Sequence, residues 1–75
     1  MKIDLKIIRK IVDARSGGLK FTELIAQLLP LYLDNPKFET SSFRDDVENV
    51  IRASGDLKIL DYTWHGLSKM FVYTP

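Results

Sequence analysis

The chain has 75 residues, of which 45% are hydrophobic and 28% are charged, and it contains no cysteine. This composition is typical of one small globular domain and excludes both a disordered segment and a disulfide scaffold. Because no apolar run approaches the ~20 residues of a membrane span and no signal-peptide core is evident, we expect a cytoplasmic protein without membrane contact.

The net charge of +1 conceals an uneven distribution. Residues 1–20 hold six basic and two acidic residues, a net charge of +4, whereas residues 21–56 hold three basic and seven acidic residues, a net charge of −4. A protein that binds nucleic acid carries positive charge on the surface that docks. Only residues 1–20 clearly show such a concentration of positive charge.

The first segment, DLKIIRKIVDAR, predicts an amphipathic helix that ends before Gly17-Gly18. Asp4 is placed to cap its N-terminus, with Ile3 and Ile8 at the positions of a hydrophobic staple. The basic side chains fall on the arc opposite the apolar one: Lys2, Lys6, Arg9 and Lys10. This arc is either a solvated helix face or a surface for phosphates or an acidic protein.

A short strand at 19–21 and a second helix capped by Thr22 follow, and Pro30 predicts the end of that helix or a kink in it. The pair Asn35-Pro36 indicates a turn. The third helix is predicted from SSFRDDVENVIRASG, with Ser41 or Ser42 as the cap and Gly55 at the C-terminus. Its inward stripe is Phe43, Val47, Val50 and Ile51.

Two segments rich in β-branched and aromatic residues, LKILDYTW and KMFVYTP, predict a C-terminal β-hairpin with its loop at 65–68. We expect Trp64, nearest the loop, to be the most exposed aromatic side chain. One side is predicted to face the core: Leu60, Tyr62, Trp64, Phe71 and Tyr73. The other side is Ile59, Asp61, Thr63, Met70 and Val72.

The order helix, short strand, helix, helix, hairpin resembles the winged helix-turn-helix superfamily over the whole chain. The resemblance implies an α+β fold, a three-helix winged helix with a C-terminal β-hairpin wing, in one domain spanning 1–75. It also implies that the third helix enters the DNA major groove and that the wing contacts the DNA backbone or minor groove.

That resemblance predicts a small nucleic-acid-binding protein, a transcriptional regulator, with DNA as its partner. Its nucleic-acid contacts would come from the third helix, the wing tip and the basic first helix. Carried onto this sequence, the predicted contact residues are Ser42, Arg44, Asn49, Arg52, His65, Lys69, Lys6, Arg9 and Lys10.

Two features of the sequence favour a function other than DNA binding. The segment between Pro30 and Ser41 is longer than the ~3–4 residues that join the helices of a helix-turn-helix. The third helix is also acidic, and Glu48 is spaced to pair with both Arg44 and Arg52. The alternative is a protein-interaction module: an adaptor, a dimerisation unit that forms a homodimer, or an inhibitor docking on a larger machine. Its contact residues would be Asp45, Glu48, Arg52 and Trp64.

Catalysis finds little support in the sequence. The one histidine, His65, falls in a predicted loop near Ser68, without a third group to orient it. Asp45 and Asp46 are neighbours on a helix and point about 100° apart. No cluster of metal ligands and no phosphate-binding loop is evident. We therefore expect no enzyme activity, no cofactor and no metal.

Overall fold

The structure is a computed structural model that describes residues 2–75. Its elements are α1 (Leu5–Asp13), β1 (Leu19–Lys20), α2 (Phe21–Tyr32), α3 (Thr40–Ser54), β2 (Lys58–Trp64) and β3 (Leu67–Tyr73). The strands form an antiparallel sheet in the order β1-β3-β2. This α+β arrangement of three helices and a C-terminal hairpin confirms the predicted winged-helix fold.

The predicted start of α1 is confirmed. The Asp4 carboxylate accepts a hydrogen bond from the Lys6 amide at 2.9 Å, and Ile3 and Ile8 are both buried. The Asp4 amide in turn donates to the Tyr32 hydroxyl at 3.0 Å, which ties the beginning of α1 to the end of α2.

The predicted start of α2 is wrong by two residues. The helix begins at Phe21 rather than after a Thr22 cap, and Lys20 is its N-cap residue without a side-chain hydrogen bond. Lys20 pairs with Phe71 in the sheet, so the strand itself holds the cap residue in the required extended conformation. The helix also continues through Pro30 and ends at Tyr32.

Helix α3 begins at Thr40, so neither predicted serine is its cap. Glu39 is the N-cap residue, and Ser41–Ser42 lie inside the first turn. Phe38, just before the cap, packs on Phe43 with ring centroids 5.3 Å apart. These are the two positions of a hydrophobic staple, so packing of aromatic rings fixes the helix start.

The core forms where the apolar faces of the helices meet the inner side of the sheet. The inward stripe predicted for α3 is buried at Phe43, Val47 and Ile51, and Gly55 ends that helix with a φ of 74°. Among the described residues no polar or charged residue is buried. The core therefore rests on apolar packing, with the hydroxyl of buried Tyr32 held by the Asp4 amide.

The hairpin turn is shorter than predicted. Only His65 and Gly66 lie between the strands, both with positive φ (51° and 76°), so Trp64 pairs directly with Leu67. Two consecutive residues with positive φ are typical of the type I′ turn, whose twist matches that of the strands.

The predicted orientation of the hairpin is wrong. Val72 is fully buried, and Ile59 and Met70 pack against the core. The side predicted to face the core points away from the helices and is exposed or half-buried: Leu60, Tyr62, Trp64, Phe71 and Tyr73.

The pairing of the short strand β1 explains this orientation. Leu19 pairs with Val72, and Val72 also pairs with Ile59. Directly paired residues place their side chains on the same side of a sheet. Because Leu19 is buried beside Phe21, the core side must contain Val72 and Ile59.

Gly18 holds the turn before β1 against the sheet. Its φ is +94°, and a Cβ at this position would lie 2.3 Å from the Val72 carbonyl oxygen and 2.8 Å from the Phe71 ring. Any other residue would meet both backbone strain and a clash with the central strand.

We expect Gly18→Ala to lower the free energy of unfolding by about 2–4 kcal/mol, because left-handed strain and overpacking add. Urea unfolding followed by circular dichroism measures the change. Gly17→Ala is the matched control, since a Cβ at Gly17 has no neighbour within 4 Å and its φ is not positive. An equal loss in both variants would contradict this account.

Candidate functional site

An open groove of about 1030 Å³ separates α3 from the wing. Its walls are one face of α3 and the two strands of the hairpin, and the first turn of α2 closes one end. A second pocket, beside Gly17 and Tyr73, has a volume of about 180 Å³.

One row of α3 side chains lines the groove: Arg44, Glu48 and Arg52, spaced four residues apart. Residues at this spacing share one face of a helix. The face is fixed because the adjacent stripe, with Val47 at its centre, is buried in the core.

Arg52 bridges α3 and the wing. Its Nε donates to a Glu48 carboxylate oxygen at 2.8 Å, and its Nη2 donates to an Asp61 oxygen on β2 at 3.3 Å. The hydrogen bond to Glu48, followed by the charge of Asp61, raises the pKa of Arg52 above its ordinary value. Two carboxylates thus compensate this guanidinium, although it lies at the surface.

Three other cations line the groove without such partners. Arg44 places its guanidinium over the Phe21 ring, 5.1 Å from the centroid, a cation–π distance. Lys20 and Lys69 lie at the groove from β1 and β3. Within residues 2–75, none of the three forms an ion pair with a carboxylate.

The structure brings only some of the residues predicted to contact nucleic acid into the groove. Arg44, Arg52 and Lys69 line the groove. Ser42 is half-buried in the first turn of α3, where its hydroxyl donates to the Glu39 carbonyl oxygen. Asn49 is exposed on α3 but does not line the groove.

The wing tip carries an aromatic pair. His65 occupies the exposed turn, and its ring lies edge-on to Trp64 with centroids 4.8 Å apart. Trp64 is exposed, as predicted.

The predicted basic stripe of α1 lies apart from the groove. Lys6, Arg9 and Lys10 are exposed, and none of them lines it. Arg9 is also compensated, since it pairs with Asp13 at 3.7 Å and with Asp56 at 3.2 Å. The positive charge of the first twenty residues is therefore divided between separate surfaces.

Of the four residues predicted for protein interaction, Glu48, Arg52 and Trp64 line the groove and Asp45 does not. Asp45 is exposed on α3, outside the groove, whereas Glu48 is engaged with Arg52. Lys20 is the groove cation that sequence reasoning missed. Its one signal was a basic residue directly before the second helix.

Comparison of the chain with protein-family models, with curated proteins and with solved structures gave no match. The resemblance to the winged-helix superfamily stays a prediction based on element order. Within residues 2–75 there is no group of three or more potential metal-ligating side chains, and no helix has the length and apolarity to cross a bilayer.

Proposed function

We propose that this domain binds double-stranded nucleic acid through the groove between α3 and the wing, and that it acts as a small transcriptional regulator. One observation carries the proposal: three cations without carboxylate partners, Lys20, Arg44 and Lys69, line a single groove. The two carboxylates there, Glu48 and Asp61, are both engaged with Arg52.

Phosphate neutralisation supplies the affinity in this proposal. Cations that replace condensed counterions on DNA give binding that depends strongly on salt and weakly on sequence. The Phe21 ring orients Arg44, which lowers the conformational entropy lost when Arg44 contacts a phosphate. Arg52 contributes less, since a guanine or phosphate would have to displace Glu48 or Asp61.

We expect Arg44→Gln and Lys69→Gln each to weaken binding several-fold and to lower the slope of log K against log salt by about 0.9. Each change removes one phosphate contact. Fluorescence anisotropy of a labelled duplex between about 50 and 200 mM salt measures both quantities.

The matched controls are Lys6→Gln and Lys10→Gln, which remove the same charge from α1, outside the groove. These variants should keep the slope of the unaltered protein. A larger loss from the α1 variants than from the groove variants would place the nucleic acid on α1 instead.

Removing the Asp61 carboxylate should strengthen binding. Asp61→Asn leaves Arg52 with Glu48 alone and deletes one negative charge from the groove, so the salt slope should increase by up to about 0.9. Asp56→Asn is the control, because Asp56 pairs with Arg9 and does not line the groove. Weaker binding by Asp61→Asn would instead mean that Asp61 orients Arg52 toward its target.

Protein interaction is the second candidate function. Exposed Leu60, Trp64 and Leu67 on the wing favour it. The mixed charges of α3 are weaker support for protein interaction, because Glu48 and Arg52 already compensate each other.

A further inference from the structure

The side of the wing that points away from the helices carries large exposed apolar side chains. Leu60, Trp64 and Leu67 are 53%, 62% and 60% exposed. Trp64 and Leu67 form the last pair of the hairpin, and Leu60 pairs with Phe71 further down the same side. The Tyr62–Lys69 pair lies between them on the same side. Several large exposed apolar side chains on one side of a hairpin are typical of an interaction site.

The charges on this outward side all have one sign. Along each strand, outward positions alternate with positions that face the helices. Lys58 and Lys69 occupy outward positions, together with the apolar residues. Lys20 of β1 adds a third lysine beside Phe71. The outward positions of the three strands contain no Asp or Glu.

A second copy of the chain does not fit this surface. Two-fold association places the same patch on both partners, so its lysines would find no carboxylate and would lie near other lysines. Juxtaposed like charges oppose association.

Single-stranded nucleic acid fits less well than protein. Bases stack on aromatic rings, but Leu60 and Leu67 offer no ring. Tyr62, Phe71 and Tyr73 are only half-exposed, and the Gly18 turn packs against the last two. The outward apolar residues classed as exposed are therefore two leucines and one aromatic residue, Trp64.

We infer that the outward side of the wing binds a protein partner whose contact surface combines large apolar side chains with Asp or Glu. The partner's apolar groups pack on Leu60, Leu67 and Trp64, the last of which is a residue type that dominates interface energies. Its carboxylates pair with Lys58 at one end of the patch and with Lys69, which lies between Phe71 and Leu67 along β3. This inference does not rest on nucleic-acid binding, because Leu60 and Leu67 do not line the groove, whereas Trp64 and Lys69 belong to both surfaces.

Two short synthetic peptides test the inference. In both peptides Leu and Phe occupy the same positions, which gives one apolar face. The remaining positions are Glu in the first peptide and Lys in the second. Each is titrated into the full chain labelled with nitrogen-15. We expect the Glu peptide to bind saturably and shift the amides of residues 58–73, and the Lys peptide to leave them unchanged.

The double variant Leu60→Ser/Leu67→Ser should weaken binding of the Glu peptide by at least about tenfold. Its matched control is Leu31→Ser/Leu33→Ser, which removes two leucines of similar exposure at the end of α2 and should bind normally. Lys58→Glu should also weaken binding of the Glu peptide. Thermal unfolding verifies that each variant folds, as expected for exposed positions.

Several results would overturn the inference. One is no saturable binding of the Glu peptide, and another is equal affinity in the Leu60→Ser/Leu67→Ser variant. Saturable binding of an oligo-dT strand or of phosphatidylserine vesicles in place of the Glu peptide would assign the patch to another class of partner if the same variant abolished it. A dimer in sedimentation that this variant dissociates would assign the patch to self-association.

Discussion

The pairing of the two-residue strand β1 with β3 determines the rest of the architecture. Leu19 is buried and pairs with Val72, so the central strand must turn Val72 toward the helices. The same pairing holds Lys20 extended as the cap of α2 and places Phe21 at the first position of that helix. The Gly18 turn can approach β3 only because it has no Cβ. A short contact between distant parts of the chain thus sets a helix start and the orientation of the hairpin.

That orientation gives the wing two sides with different chemistry. The side toward α3 presents Asp61, which meets Arg52, and the contact fixes the wing beside the helix. The opposite side presents lysines and exposed apolar residues without any carboxylate. Leu60 and Leu67 lie outside the groove, whereas Trp64 and Lys69 belong to both surfaces. A duplex in the groove and a protein on the outward side would therefore share the end of the wing.

The sequence predicts those features that depend on local periodicity. The inward stripe of α3, the Asp4 cap and the Gly55 terminus follow from helix geometry and are confirmed. The cap of α3 was not predictable in this way, since Phe38 and Phe43 fix it by packing across the turn. Both sides of the hairpin are apolar, so alternation could not decide which one is buried. The deciding contact, between Leu19 and Val72, spans most of the chain.

In the folded protein the carboxylates of α3 have a different role from the one that the sequence of the helix alone suggests. Taken alone, the helix carries carboxylates where a DNA-reading helix would carry cations. In the fold, Glu48 holds Arg52 at 2.8 Å and directs it toward the wing, so this carboxylate shapes the groove wall. Two of the cations suited to phosphates come from other elements, Lys20 from β1 and Lys69 from β3. Charge counted helix by helix therefore understates the positive charge of the groove, because a surface is assembled from strand edges as well as from helix faces.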